Sequence, residues 1–215
     1  GNPLSNIAEG LRFVRSSDII LPTLVITIIV NVFVFPYTFV VPAIVKEELH
    51  IGPLLLGVLT SVEGVGATIG SVLVAMRARA SFYTRAYFFG SCVFALMALA
   101  FAGVQWYWVA LPVVLLSGLG MSGFGSMQSI IILNATPAAL RGRVLGVLTV
   151  CIGAGPLGAL QIGWLAEKFG PSVGVAMIGG TGLALTALTA LIWPRFLRTR
   201  RIEPAIAPPA GKATP

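Results

Sequence analysis

TSVEGVGATIG, Thr60 to Gly70, carries a carboxylate in the middle of apolar sequence, and the solvent around Glu63 decides the fold. Between His50 and Arg77 lie 26 residues, and Glu63 is the one charged side chain among them. The same pattern recurs along the chain. Asp18 and Lys46 enclose 27 uncharged residues, Arg143 and Glu167 enclose 23, and Lys168 and Arg195 enclose 26. Arg85 and Arg141 enclose 55, too many for one crossing. Gly103-Val104-Gln105-Trp106-Tyr107-Trp108 interrupts that run with a glycine, an amide and aromatics suited to a lipid–water boundary. A helical crossing takes about 20 apolar residues, so the spacing predicts six.

Composition supports hydrocarbon as the solvent. The chain has 215 residues, of which 57% are hydrophobic and 10% charged, with a mean hydropathy of +0.96. Soluble domains are about 25% charged, and so few charges cannot cover a water-exposed surface of this size. Strands are excluded because a membrane strand needs about ten residues of alternating polarity. The fold class is therefore an all-α membrane protein, a six-transmembrane-helix bundle with spans near 19–45, 53–76, 86–104, 108–133, 144–166 and 172–193. Residues 1–18 read as an interfacial amphipathic helix and its connection, with Leu4, Ile7, Ala8, Leu11 and Val14 at helical spacing. Residues 195–215 read as a basic, then Pro- and Ala-rich tail. Gly1 in place of Met raises the expectation of an upstream segment.

The net charge of +7 does not point to nucleic acid, because the basic residues punctuate apolar runs instead of gathering on a polar face. With six crossings, twelve of the fourteen Lys and Arg residues fall on one side, and only Lys46 and Lys168 on the other. The positive-inside rule then places both termini in the cytoplasm.

GLGMSG, Gly118 to Gly123, fits a dinucleotide fingerprint, yet no strand precedes it, and Arg141 and Arg143 stand where an acidic residue is required. Close helix packing is the better reading, as it is for the G-x-x-x-G pair Gly66 and Gly70. Gly155, Pro156 and Gly158 are expected to kink and pack the fifth span. Cys92 and Cys151 lie inside apolar runs as small buried residues, and His50 lies in a loop beside acids. No catalytic pair, metal cluster or cofactor motif is present, so an enzyme is not expected.

TPAALRGRVLGVLTVCIGAGPLGALQIGWLAEKFGP, Thr136 to Pro171, resembles the C-terminal half of major facilitator superfamily transporters. It looks closest to the enterobactin-exporter-like and drug-efflux permease branch of bacteria. Leu140-Arg141-Gly142-Arg143-Val144 and Gly155-Pro156-Leu157-Gly158 carry the likeness. GLRFVR, from Gly10, is similar to the lead into that family's seventh helix, and LLGVLTSVEGVGATIGS to its eighth. The resemblance implies half of a twelve-helix transporter, with a 3+3 inverted repeat, working by alternating access in the bacterial inner membrane. It implies efflux of small amphipathic or siderophore-like molecules. The partners would be the lipid bilayer, that small-molecule substrate, and an N-terminal half or a second copy of this chain. The alternative is an isolated half, a fragment, or a membrane-embedded subunit with no transport of its own.

A charge at mid-membrane costs about 2.5–3.5 kcal/mol on insertion scales. Glu63 must therefore face water, find a partner or hold a proton. The resemblance puts it on a cavity-lining helix, as a proton carrier or as the counter-charge of a cationic substrate. The other reading is a structural hydrogen bond to a neighbouring helix. Its expected partners are the polar groups at depth: Asn31, Gln128, Gln161, Ser61 and Thr60. Asn31, Gln128 and Gln161 are also candidates to line a cavity. Arg141, Gly142 and Arg143 are expected to form a cytoplasmic gate or anchor.

Overall fold

A computed structural model describes residues 12–77 and 82–198, and among these there is no strand. Six helices are long and apolar enough to cross a membrane: Ile20–Glu47, Pro53–Met76, Tyr83–Phe101, Tyr107–Ala135, Ala138–Phe169 and Pro171–Ile192. We call them the first to sixth spans. Most of the expected amphipathic helix at 1–11 and the tail beyond 198 lie outside the described residues, as does Arg79.

The helices overrun the apolar runs that announce them. The third begins at Tyr83 and takes in Arg85, and the fifth takes in Arg141, Arg143, Glu167 and Lys168. Charge ends an apolar stretch, but it does not end a hydrogen-bond ladder. The first residues of the expected tail pack against the bundle. Pro194–Arg198 is helical, Phe196 is buried, and Arg85 Nε donates to Leu197 O at 3.1 Å. Apolar Phe196 turns this segment back under the bundle.

Two spans are interrupted. The first runs as α-helix over Ile20–Ile29, as π-helix over Val30–Val34, and as α-helix again over Tyr37–Glu47. Pro36 has no N–H to donate, and Phe35 N reaches back to Val30 O at 2.7 Å, widening one turn. The fifth breaks between Arg141–Ile152 and Gly155–Phe169, where Pro156 occupies the first turn of the new helix. Pro22, in contrast, sits in the first turn of its helix and costs no hydrogen bond there.

The fourth span packs along both the second and the third, and the third also packs along the sixth. Glycine permits this. A Cβ at Gly66 would fall into the carbonyl of Leu115, and one at Gly118 into that of Glu63. Gly70 faces Ser122 and Leu119 in the same seam. At Gly158 an added Cβ would come within 2.5 Å of Pro36 Cγ and Val32 O, so this glycine lets the fifth span close on the π turn. Gly155 differs from the expectation, because nothing lies within 4 Å of its Cβ position. It leaves space open instead of closing a seam.

Ends are tied by polar contacts. Asp18 pairs with Arg195 at 3.3 Å, joining the first span's beginning to the sixth span's end. At the opposite end Ser172 donates to Glu48 through its N (3.3 Å) and its Oγ (2.5 Å). There a carboxylate caps a helix N-terminus. Coverage is uneven: 61% of the first span's most apolar stretch is buried, against 17% of the second's and 22% of the fifth's. Leu54, Val65 and Met76 on the second, and Leu157, Leu160 and Trp164 on the fifth, stand exposed. In water such a surface would drive aggregation; in hydrocarbon it carries no penalty.

Candidate transport site

Glu63 lies half-buried in the second span, one turn from the glycine seam. Its partners come from two other spans. Tyr37 OH donates to Glu63 Oε1 at 2.7 Å, and Ser117 Oγ donates to the same oxygen at 3.2 Å. Tyr37 OH and Ser117 Oγ are themselves 2.6 Å apart. The three oxygens close a triangle. Tyr37 and Ser117 are each 1% exposed, and the Tyr37 ring is held edge-on by Phe94 at 5.9 Å and tilted against Phe101 at 6.2 Å. Gly118, beside Ser117, sets the close approach that brings Ser117 to the carboxylate.

None of the partners expected from sequence takes that place. Thr60 Oγ1 donates to Gly57 O and Leu56 O, and Ser61 Oγ to Gly57 O, so both close on their own helix. This is the usual back-bonding of hydroxyls in helices. Gln161 is half-buried on the fifth span and belongs neither to the triangle nor to the cavity described next.

Asn31 and Gln128 meet elsewhere, at a cavity of about 570 Å³ between the first, fourth and fifth spans. Phe35, Phe39, Phe124 and Pro156 contribute to its wall, and Gly155 and Gly125 leave it room. Behind it lies a second polar cluster. Tyr87 OH donates to Thr23 O at 2.9 Å and lies 2.8 Å from Thr27 Oγ1. Thr27 Oγ1 reaches Gln128 Oε1 at 3.4 Å, and Asn31 Nδ2 donates to Thr27 O at 2.8 Å. Tyr87 is fully buried and stacks on Phe124 with ring centres 5.6 Å apart.

Of the residues expected to form a gate or anchor, Arg141 Nε donates to Thr136 O at 3.2 Å and so closes the turn between the fourth and fifth spans. Gly142 has no atom within 4 Å of a Cβ position, and Arg143 is half-buried in the same turn. Among the described residues no group of three or more His, Cys, Asp or Glu side chains is placed to hold a metal ion.

Sequence reasoning missed Tyr37, Ser117, Tyr87 and Thr27. The signal was present in part: two tyrosines deep in apolar runs each need a partner for the hydroxyl. What sequence lacks is the rotation of one helix against another.

Six apolar helices packed through glycine, with two polar clusters at their centre, define a polytopic integral membrane protein. Residues 3–206 match the family of transmembrane secretion effectors, and the chain belongs to that family of major facilitator superfamily transporters. Its function is transport across a membrane. No curated protein matches the sequence.

Proposed function

We propose that this chain is the C-terminal six-helix half of a proton-coupled exporter of small amphipathic molecules, with Glu63 as the coupling group. It works by alternating access beside an N-terminal half or a second copy, in a bacterial inner membrane with both termini cytoplasmic. The observation that carries the reading is the oxygen triangle. Three short contacts join Glu63, Tyr37 and Ser117, but two hydroxyls supply only two hydrogens. A third hydrogen on Glu63 completes the ring once one hydroxyl turns its hydrogen to the other, a rotation of an O–H bond alone. The half-exposed position of Glu63 gives that proton a way in and out. The separate cavity at Asn31 and Gln128, about 570 Å³, is of the size that holds small ligands, about 300–1,000 Å³.

The test is Glu63→Gln in proteoliposomes carrying the complete transporter, with N-phenylnaphthylamine as probe and an imposed pH gradient. The amide keeps an acceptor for Tyr37 and Ser117 but cannot take up or release a proton. Probe accumulation driven by the gradient is expected to vanish, while exchange without a gradient persists. Gradient-driven accumulation at the wild-type rate refutes the coupling role.

A further inference from the structure

The second and third spans both pack along the fourth but not along each other. Between them runs a furrow of about 210 Å³, floored by Leu119, Gly120 and Gly123 of the fourth span. Glycine lets the third span sink onto that floor. A Cβ at Gly120 would come within 2.6 Å of Phe94 N, and one at Gly123 within 2.9 Å of Ala86 O. Leu73 and Val74 form one bank, and Phe82, Phe89 and Val93 the other. Leu73 and Phe89 remain 40% and 58% exposed, so the furrow opens sideways, towards hydrocarbon. At 1.5 Å per residue the bank from Gly70 to Arg77 is about 10 Å long, and that from Phe82 to Val93 about 16 Å. Half of a bilayer's hydrocarbon is about 15 Å deep. The furrow is therefore one leaflet deep, and it starts at the membrane face where the first span begins.

Of the side chains that line it, Arg77 alone is polar, and it stands at the outer end. The chain offers it no carboxylate. Between Glu63 and Glu167 the sequence has five arginines and no Asp or Glu, and Glu63 itself lies about 21 Å away along the same helix. Among the described residues the Arg77 guanidinium has no hydrogen bond or ion pair. We infer that the furrow holds an acyl chain of an anionic phospholipid, with the lipid phosphate on Arg77. A guanidinium presents paired donors to phosphate oxygens, and basic pockets between helices at the cytoplasmic face suit anionic headgroups. The seated chain ties the second span to the third along a flank that no helix covers. That span carries Glu63, and only 17% of its most apolar stretch is buried. The inference requires that the chain spans a membrane, and is independent of the coupling role of Glu63.

The test is native mass spectrometry of the full chain released from detergent micelles. Dioleoylphosphatidylglycerol and dioleoylphosphatidylcholine are supplied in equal amounts, so that only the headgroup differs. The first lipid retained is expected to be the anionic one, held about fivefold more tightly, the effect of one arginine near an anionic headgroup. Arg77→Gln, at an exposed helix end, should bring the two lipids level. Arg12→Gln removes the same charge outside the furrow and should leave the preference intact. Val93→Phe narrows the furrow from its bank and should weaken both lipids alike. Excess inorganic phosphate should leave the lipid bound. Equal retention of the two lipids by the wild-type chain overturns the inference. So does a loss as large with Arg12→Gln as with Arg77→Gln, which would mean surface charge alone. Displacement by phosphate overturns it too, since the site would then take the ion without the acyl chain.

Discussion

Replacing Tyr37 by Phe removes one oxygen and keeps the ring, so it isolates the hydroxyl's part in holding Glu63. The ring contacts with Phe94 and Phe101 survive the change. What is lost is a 2.7 Å bond to Glu63 Oε1 and a 2.6 Å contact to Ser117 Oγ. A neutral hydrogen bond contributes about 1 kcal/mol and one to an ionised group about 1.5–3. Interhelical bonds in membranes average about 0.6. Ser117 stays behind as a donor to the same carboxyl oxygen at 3.2 Å, so the loss falls short of a fully orphaned acceptor. Tyr37→Phe should therefore cost about 1–2 kcal/mol. Glu63→Leu removes the acceptor from the other side, and the double variant closes a thermodynamic cycle. The coupling between the two sites should be about 1 kcal/mol. Reversible unfolding in mixed dodecylmaltoside–SDS micelles, followed by the fluorescence of the four tryptophans, gives the three differences. Tyr87→Phe is the control, since Tyr87 bonds to Thr23 and Thr27 and not to Glu63. The reasoning fails if Tyr37→Phe and Glu63→Leu add to within about 0.3 kcal/mol, the behaviour of sites that do not touch.

Gly118→Val drives a side chain into Glu63 O and towards Ala67 N, and should abolish the monodisperse peak in size-exclusion chromatography in detergent. Gly57→Ala, with nothing within 4 Å of its Cβ position, should keep that peak and raise stability by about 0.5–1 kcal/mol through its helix preference. Asp18→Asn breaks the pair with Arg195, whose side chains are 59% and 83% exposed. Its cost should stay below about 1 kcal/mol in the same unfolding assay and shrink further at high salt.

The six spans were legible because charges are costly in hydrocarbon and so mark where it ends. Their helical limits were not, since a ladder continues past Arg85 or Lys168 until caps or glycine stop it. Gly66 and Gly70, and separately Gly118, could be read as close-packing positions because small residues have few other uses inside a membrane; that the two sets meet in one seam needed the structure. Glu63 stood out by its isolation, but its partners did not. Thr60 and Ser61 are near it in sequence yet bond backward along their own helix, whereas Tyr37 and Ser117 lie 26 and 54 positions away. Gln161 was indistinguishable from Gln128 by composition, and only the packing of the first span against the fourth separates them. The π turn was announced by Pro36 alone, which also fits an ordinary kink.

Placing the acid and the cavity at different depths along the fourth span has a physical logic. Ser117 shares a helical face with Met121, Phe124 and Gln128 but lies one to three turns away from them. Ser117 and Gly118 face the second span, while Met121, Phe124 and Gln128 face the cavity. A carboxylate inside an aromatic cavity would hold water and cations there. Kept apart, it is satisfied by two hydroxyls, and no charged side chain lines the cavity. The two sites nonetheless share one rod. Asn31 and Phe35 form part of the cavity wall, and Tyr37, just beyond the π turn, carries the bond to Glu63. The π turn is the place where this rod departs from regular hydrogen bonding, and Gly158 and Gly182 let two other spans close on its backbone and on the side chains of Val34, Phe33 and Pro36. Asn31, Phe35 and Tyr37 therefore sit on one rod, and under the proposed function a change that parts Tyr37 from Glu63 would be felt at the cavity wall through that rod.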